Sequence, residues 1–199
     1  MVSARIYIEG GESKEDQIRC REGFCKLLGK AGFAKRMPRL SACGGRNSAF
    51  DDFKTAHASP KTGDYVALLV DSEDPVKDIE KTWSHLFARD GWTRPDGASD
   101  EQVLLMTTCM GTWIVADRAS MKEHYRQHLQ ESALPALFDL EKRDRHDVQD
   151  KLFHATRNCP NAYAKGKRSF EILGKVDPTV LELHLPSFVR VLRVLRNRL

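Results

Sequence analysis

Tyr65-Val66-Ala67-Leu68-Leu69-Val70-Asp71-Ser72-Glu73-Asp74 is an apolar run closed by carboxylates, and near the start of the chain Ile6-Tyr7-Ile8-Glu9-Gly10-Gly11-Glu12 repeats that form. Each run is short, rich in β-branched and aromatic residues, and ends in acids. That pattern reads as a buried parallel strand delivering carboxylates to its carboxyl end. Open α/β sheets bind their ligands at that edge. Together the two clusters read as a divalent-metal site.

The stretches between and after these runs fill in the architecture. Ser13-Lys14-Glu15-Asp16 offers an N-cap with an acid three residues on, followed by an apolar stripe of Phe24, Leu27, Leu28 and Ala31 that Gly32 closes. Pro38 to Cys43 reads as a short strand running into the tight turn Gly44-Gly45-Arg46-Asn47. A second helix is expected over 49–56, and a third from Pro75 through Ile79, Trp83, Leu86 and Phe87. Val103-Leu104-Leu105-Met106 is a fourth apolar run with strand character, after a turn-rich loop over 90–97. Trp113 to Arg118 fits a strand or a buried helix equally at its length. Beyond Pro135 the pattern is helical in pieces, ending in an amphipathic tail whose Arg190, Arg193 and Arg196 flank an apolar stripe. Right-handed crossovers then give an α/β fold with a mostly parallel sheet of about four strands flanked by helices, and a helical C-terminal part. Residues 1–199 read as one domain, an α/β core over 1–130 with a helical, basic extension over 131–199.

Composition excludes several classes. Of the 199 residues 41% are hydrophobic and 30% charged, the mixture of a globular and not a disordered protein. No apolar stretch approaches the roughly 20 residues that span a bilayer. The start, Met1-Val2-Ser3-Ala4-Arg5, lacks the apolar centre of a secretory signal, so a cytoplasmic location is the default expectation. Five cysteines without a Cys-x-x-Cys pair indicate neither a disulfide framework nor a zinc site. His124 and His128 stand four apart, a spacing that binds metal from one helix face or simply decorates a solvated one. From Lys142 to Leu199 thirteen Lys and Arg face six Asp and Glu, a net of +7 that leaves −3 to the rest of a chain totalling +4. A basic part that holds phosphates beside acids that hold metal suits a polyanionic substrate. The same bases equally serve to keep helices solvated.

Magnesium prefers oxygen ligands and is typically held by one or two carboxylates plus substrate phosphate. Glu9, Asp71 and Glu73 supply that chemistry. Residues two apart in an extended segment point the same way, so Asp71 and Glu73 can face Glu9 from a neighbouring strand. The alternative is that such acids are helix caps, as Glu12 before Ser13 and Asp74 before Pro75 suggest. Asp117 is likewise a further ligand or a cap. Arg46, on the Gly-Gly turn, is placed to contact phosphate or to do nothing, and Lys165, Lys167 and Arg168 form a short basic loop suited to a nucleic-acid backbone.

A strand ending in Glu and glycines, a helix, and a later strand ending in Asp-x-Asp/Glu resembles the Toprim fold of topoisomerases, primases, small ribonucleases and overcoming-lysogenisation-defect nucleases. More of the chain, in the segments Ile8-Glu9-Gly10-Gly11, Ala42 to Asn47, Leu69 to Asp74, Trp113 to Arg118 and Tyr163 to Phe170, resembles a bacterial Toprim-like domain family of unknown function. Members of that family are often encoded beside an ATPase in anti-phage defence islands. The resemblance implies Glu9 as acid/base or metal ligand and Asp71 and Glu73 as ligands of Mg2+ or Mn2+, while Lys165, from its basic loop, is expected to stabilise developing charge as a catalytic cation. Glu73 departs from the more usual Asp by one methylene. The expectation is a magnesium-dependent nuclease working with a partner ATPase, with no membrane partner and with homo-oligomers open. The alternative is a non-catalytic subunit that uses the fold to grip nucleic acid or the ATPase.

Overall fold

The computed structural model of the chain describes residues 4–59 and 64–199; residues 1–3, part of the start read above for a secretory signal, and residues 60–63 lie outside it. The apolar runs form β1 (Ala4–Ile8), β2 (Arg39–Ala42), β3 (Tyr65–Asp71) and β4 (Val103–Met106). They pair in one all-parallel sheet in the order β2-β1-β3-β4. Alternate side chains go to opposite faces. Ile6, Ile8, Ala67, Leu69, Leu104 and Met106 enter one core, and Tyr7, Val66, Leu68, Val70, Val103 and Leu105 enter another. Burial on both faces is what the unbroken apolar run of β3 requires.

The smaller core is closed by α2 (Arg46–Ala58) and α3 (Thr82–Asp90), through Phe50, Phe53, Trp83 and Leu86. The larger core takes α1 (Lys14–Leu28), α4 (Met110–Ala116), α5 (Arg118–Tyr125), α6 (Arg145–Thr156), α7 (Lys167–Leu173), α8 (Pro178–His184) and α9 (Pro186–Arg198). Residues 131–199 thus pack directly against the sheet. The α/β architecture, with its four parallel strands and helical C-terminal part, matches the sequence-based expectation. Among the described residues no helix is long and apolar enough to cross a membrane, and all five cysteines are free.

Several elements differ from the sequence reading for identifiable reasons. The third helix begins at Thr82 and not at Pro75, because its first turn is capped from a distance. Asp100 Oδ1 accepts the Trp83 N–H at 2.9 Å and the Thr82 hydroxyl at 3.2 Å. The stretch through Trp113 is a helix buried on all sides. Asp117 is a cap, accepting the Ser120 N–H at 3.0 Å and, on its other oxygen, the Asp177 N–H at 2.8 Å. The helix carrying His124 ends at Tyr125, so His128 leaves its face, and His124 pairs instead with Asn161 at 3.0 Å and Lys175 at 2.7 Å. Arg190 does not flank the tail stripe in solvent. It is buried and donates to the Val103 and Asp100 carbonyls at 2.9 and 2.7 Å, tying α9 to the start of β4.

Helices α1 and α7 approach closely at Gly23, where an added Cβ would lie 2.5 Å from the Phe170 carbonyl oxygen. Backbone cannot yield as a flexible side chain does. Gly23→Ala is therefore expected to destabilise the fold by about 1–3 kcal/mol, read as a fall of several degrees in Tm.

Candidate active site

The chain leaves β1 for β2 on one side of the sheet and returns to β3 on the other, so β1 and β3 diverge in connection while lying side by side. Such a switch point opens a crevice at the carboxyl ends of the strands. Glu9 follows β1 and Asp71 ends β3, one on each side of it. Gly10 and Gly44 exchange backbone hydrogen bonds of 2.8 and 3.0 Å, extending the pairing of β1 with β2 beside the crevice. Gly11 turns the chain away at φ +81°, where a Cβ would lie 2.6 Å from the Gln17 nitrogen, so a side chain is excluded there.

Arg46, the first residue of α2, reaches into this crevice and ties its parts together. Its Nη1 donates to Glu9 Oε2 at 3.2 Å and to the Asp71 carbonyl, while Nε and Nη2 grip Asp90 at 3.1 and 2.6 Å. Its guanidinium carbon lies 4.9 Å from the centre of the Trp92 ring, which stacks in turn on Phe50 at 4.1 Å. Arg46 is accordingly a brace for the carboxylates, with each nitrogen already engaged. Glu9 Oε2 also accepts the Asp71 N–H at 3.3 Å, and Asp71 Oδ1 accepts the Met110 N–H at 2.8 Å. Burial, then the Glu9 carboxylate beside it, push the Asp71 carboxyl well above its ordinary range, against the Met110 N–H, Arg46 and Lys165.

Glu73 sits apart in chemistry. Its backbone is left-handed (φ 69°), its side chain is buried, and Oε2 accepts from Arg89 at 2.9 Å and from Arg145. Among the described residues no group of three or more His, Cys, Asp and Glu side chains is arranged to hold a metal. The three-carboxylate site read from the sequence is thus present as a pair, Glu9 and Asp71, beside an acid that two arginines occupy.

A cleft of about 300 Å³ joins these residues to the C-terminal part of the chain. Besides Glu9, Asp71 and Glu73 it is lined by Glu12, Asp16, Cys109, Arg145, Gln149, Tyr163 and Lys165. Of the basic loop read from the sequence, Lys165 lines the cleft. Lys167 and Arg168 are not in the cleft: Lys167 lies 3.4 Å from Glu15, and Arg168 donates to the Ala162 carbonyl at 3.0 Å. Sequence reasoning missed Arg89, Asp90, Arg145 and Tyr163. Asp144, whose carboxylate accepts the His146 N–H at 2.8 Å as the cap of α6, was the available signal for Arg145. Burial, then the charges of Cys109 and Asp71, raise the Tyr163 phenol, which stays a protonated donor at neutral pH.

The family model described as a domain of unknown function (DUF4276) matches residues 15–196. The chain belongs to that family. Within this DUF4276 chain the matched stretch takes in Arg46, Asp71, Glu73, Arg145 and Lys165 and begins after Glu9. No curated protein and no solved structure matches it.

Removing Arg46 leaves Glu9 and the largely buried Asp90 without their shared partner. Arg46→Ala is expected to cost about 3 kcal/mol in urea unfolding. Burial acts to raise the Asp90 carboxyl, but hydrogen bonds and charge from Arg46, then Arg89, outweigh it and hold it below its ordinary value. Its stabilisation is present above the unfolded Asp value of about 4 and is lost as pH falls through the lower folded value. Asp90→Asn is therefore expected to flatten the acid limb of the stability–pH profile.

Proposed function

We propose that this chain is a Toprim-like, metal-dependent nuclease that cleaves phosphodiester bonds in DNA or RNA. One observation carries the reading: adjacent parallel strands deliver Glu9 and Asp71 to a single cleft at the switch point of the sheet. The cleft lining holds five carboxylates (Glu9, Glu12, Asp16, Asp71 and Glu73) against Arg145 and Lys165. That excess, and the burial and then Glu9 charge that raise Asp71, favour a cation between the carboxylates.

Glu9 and Asp71 fit a hard cation such as Mg2+ or Mn2+, which needs only one or two carboxylates when water and phosphate complete its shell. Glu73, held by Arg89 and Arg145, does not fit as a ligand in this arrangement and instead fixes Arg145 at the cleft wall. A bound divalent ion supplies Lewis-acid polarisation of a phosphate and a more acidic water. The chain's own residues do the rest. Arg46 holds Glu9 beside the Asp71 backbone, the Met110 N–H orients Asp71, and Lys165 offers positive charge to an anion in the cleft. The family resemblance adds a partner ATPase in anti-phage defence, a control that suits a nuclease acting inside a cell.

A second reading, a non-catalytic subunit that binds nucleic acid or the ATPase, is favoured by the arginines already paired with Glu9 and Glu73. Purified protein incubated with plasmid DNA, single-stranded DNA, total RNA and transfer RNA in Mg2+ or Mn2+ separates the two. The nuclease predicts metal-dependent cleavage reduced at least a hundredfold by Glu9→Ala and by Asp71→Ala, on the order of the loss expected when a catalytic electrostatic group is removed. Wild-type protein that cleaves none of these, alone or with the ATPase, overturns the nuclease and moves the reading to the binding subunit.

A further inference from the structure

The arginines around the cleft are occupied: Arg46 by Glu9 and Asp90, Arg89 by Glu73 and Asp90, and Arg145 by Glu73. Two polar groups on the same lining are not. Among the described residues Lys165 makes no ion pair, and the Tyr163 hydroxyl has no hydrogen-bond partner in the protein. The Tyr163 hydroxyl is not among the buried polar atoms left without a partner, so it is open to the cleft that the residue lines. It is a donor that no protein acceptor occupies, on the same wall as Lys165.

The segment that carries both groups is fixed in advance. The Tyr163 N–H donates to Thr156 Oγ1 at 3.0 Å, and the Tyr163 ring meets Phe153 edge-on at 5.1 Å. The Ser169 N–H closes on the Ala164 carbonyl at 3.1 Å, and its hydroxyl on the Gly166 carbonyl at 2.8 Å. Gly166 has φ +87°, and an added Cβ would lie 2.9 Å from Asp16 Oδ1, so the loop is seated on the start of α1. A rigid neutral donor two residues from a compact cation matches a phosphate, whose several oxygens take a hydrogen bond and a charge at once. An isolated anion would be repelled by the acids of the opposite wall. A phosphate that enters with a divalent cation would not be.

We propose that Tyr163 and Lys165 form a phosphate subsite in the cleft, holding one phosphodiester of a nucleic-acid strand with the phenol donating to a non-bridging oxygen and the ammonium neutralising its charge. This rests on the nucleic-acid reading of the cleft and names the residues that hold the strand there.

The test is fluorescence anisotropy of a short fluorescein-labelled single-stranded oligonucleotide titrated with the full chain. Calcium replaces magnesium so that binding is read without turnover. Tyr163→Phe keeps the ring contact with Phe153 and removes only the hydroxyl; Lys165→Met keeps the apolar stem. Each variant is expected to bind about tenfold more weakly, with Tm unchanged. Lys165→Met also lowers the slope of log K against log salt by about 1, whereas Tyr163→Phe, losing a neutral donor, leaves the slope alone. Wild-type affinity and slope in both variants overturn the subsite, as does absence of binding by the wild type. The outcomes separate from the catalytic reading. Binding weakened in both variants with no cleavage by the wild type keeps the subsite and removes the nuclease. Cleavage lost in Glu9→Ala, with both variants binding normally, does the reverse.

Discussion

The guanidinium of Arg46 is the constraint on which the site depends. It joins the end of β1 through Glu9, the end of β3 through the Asp71 carbonyl, and the end of α3 through Asp90, with the Trp92 ring against its face. Two carboxylates at neighbouring strand ends repel each other, and the sheet edge would open without a cation between its parts. Arginine suits the position because its planar fork makes several hydrogen bonds at fixed angles and stays charged when partly buried. The fold therefore carries its own counter-ion, set behind the carboxylates, and leaves the front of the cleft acidic.

How much of this was legible in the sequence follows from the range of the forces involved. The strands could be read because Ile6 to Ile8 and Tyr65 to Val70 are apolar on both faces, which only a two-sided sheet buries. Glu9 and Asp71 could be read as strand-end acids for the same reason. The start of α3 could not, since its cap is Asp100, far along the chain from Thr82. The state of Glu73 depends on Arg89 and Arg145, and nothing near Glu73 in sequence announces either. In sequence Arg46 is a phosphate contact or an idle surface arginine; its acceptors lie up to 44 residues away and make it a brace instead.

The basic balance of the C-terminal part looked like a footprint for a polyanion. In the folded chain much of it is internal wiring. Arg190 is buried on backbone carbonyls, Arg193 and Arg190 share Glu80, Arg196 meets Glu182, and Arg198 meets Glu101. Exposed pairs of this kind contribute little stability each, but they cancel charge that net counting assigns to a partner. Within the cleft the charge open to an anion is local, Lys165 beside the Tyr163 phenol, while Arg143, Arg157 and Arg168 lie outside it on neutral partners.

That cleft draws its walls from segments far apart in sequence. Glu9 and Asp16 come from the first strand and helix, Tyr163 and Lys165 from a loop about 150 residues later, and α1 rests on α7 at Gly23. Contacts of such sequence separation form late, because loop closure must precede them. During synthesis the ribosome releases the acidic edge long before the residues that face it. A nascent chain therefore has no complete cleft until α7 has emerged, and truncated translation products carry the carboxylates without the groups that complete them.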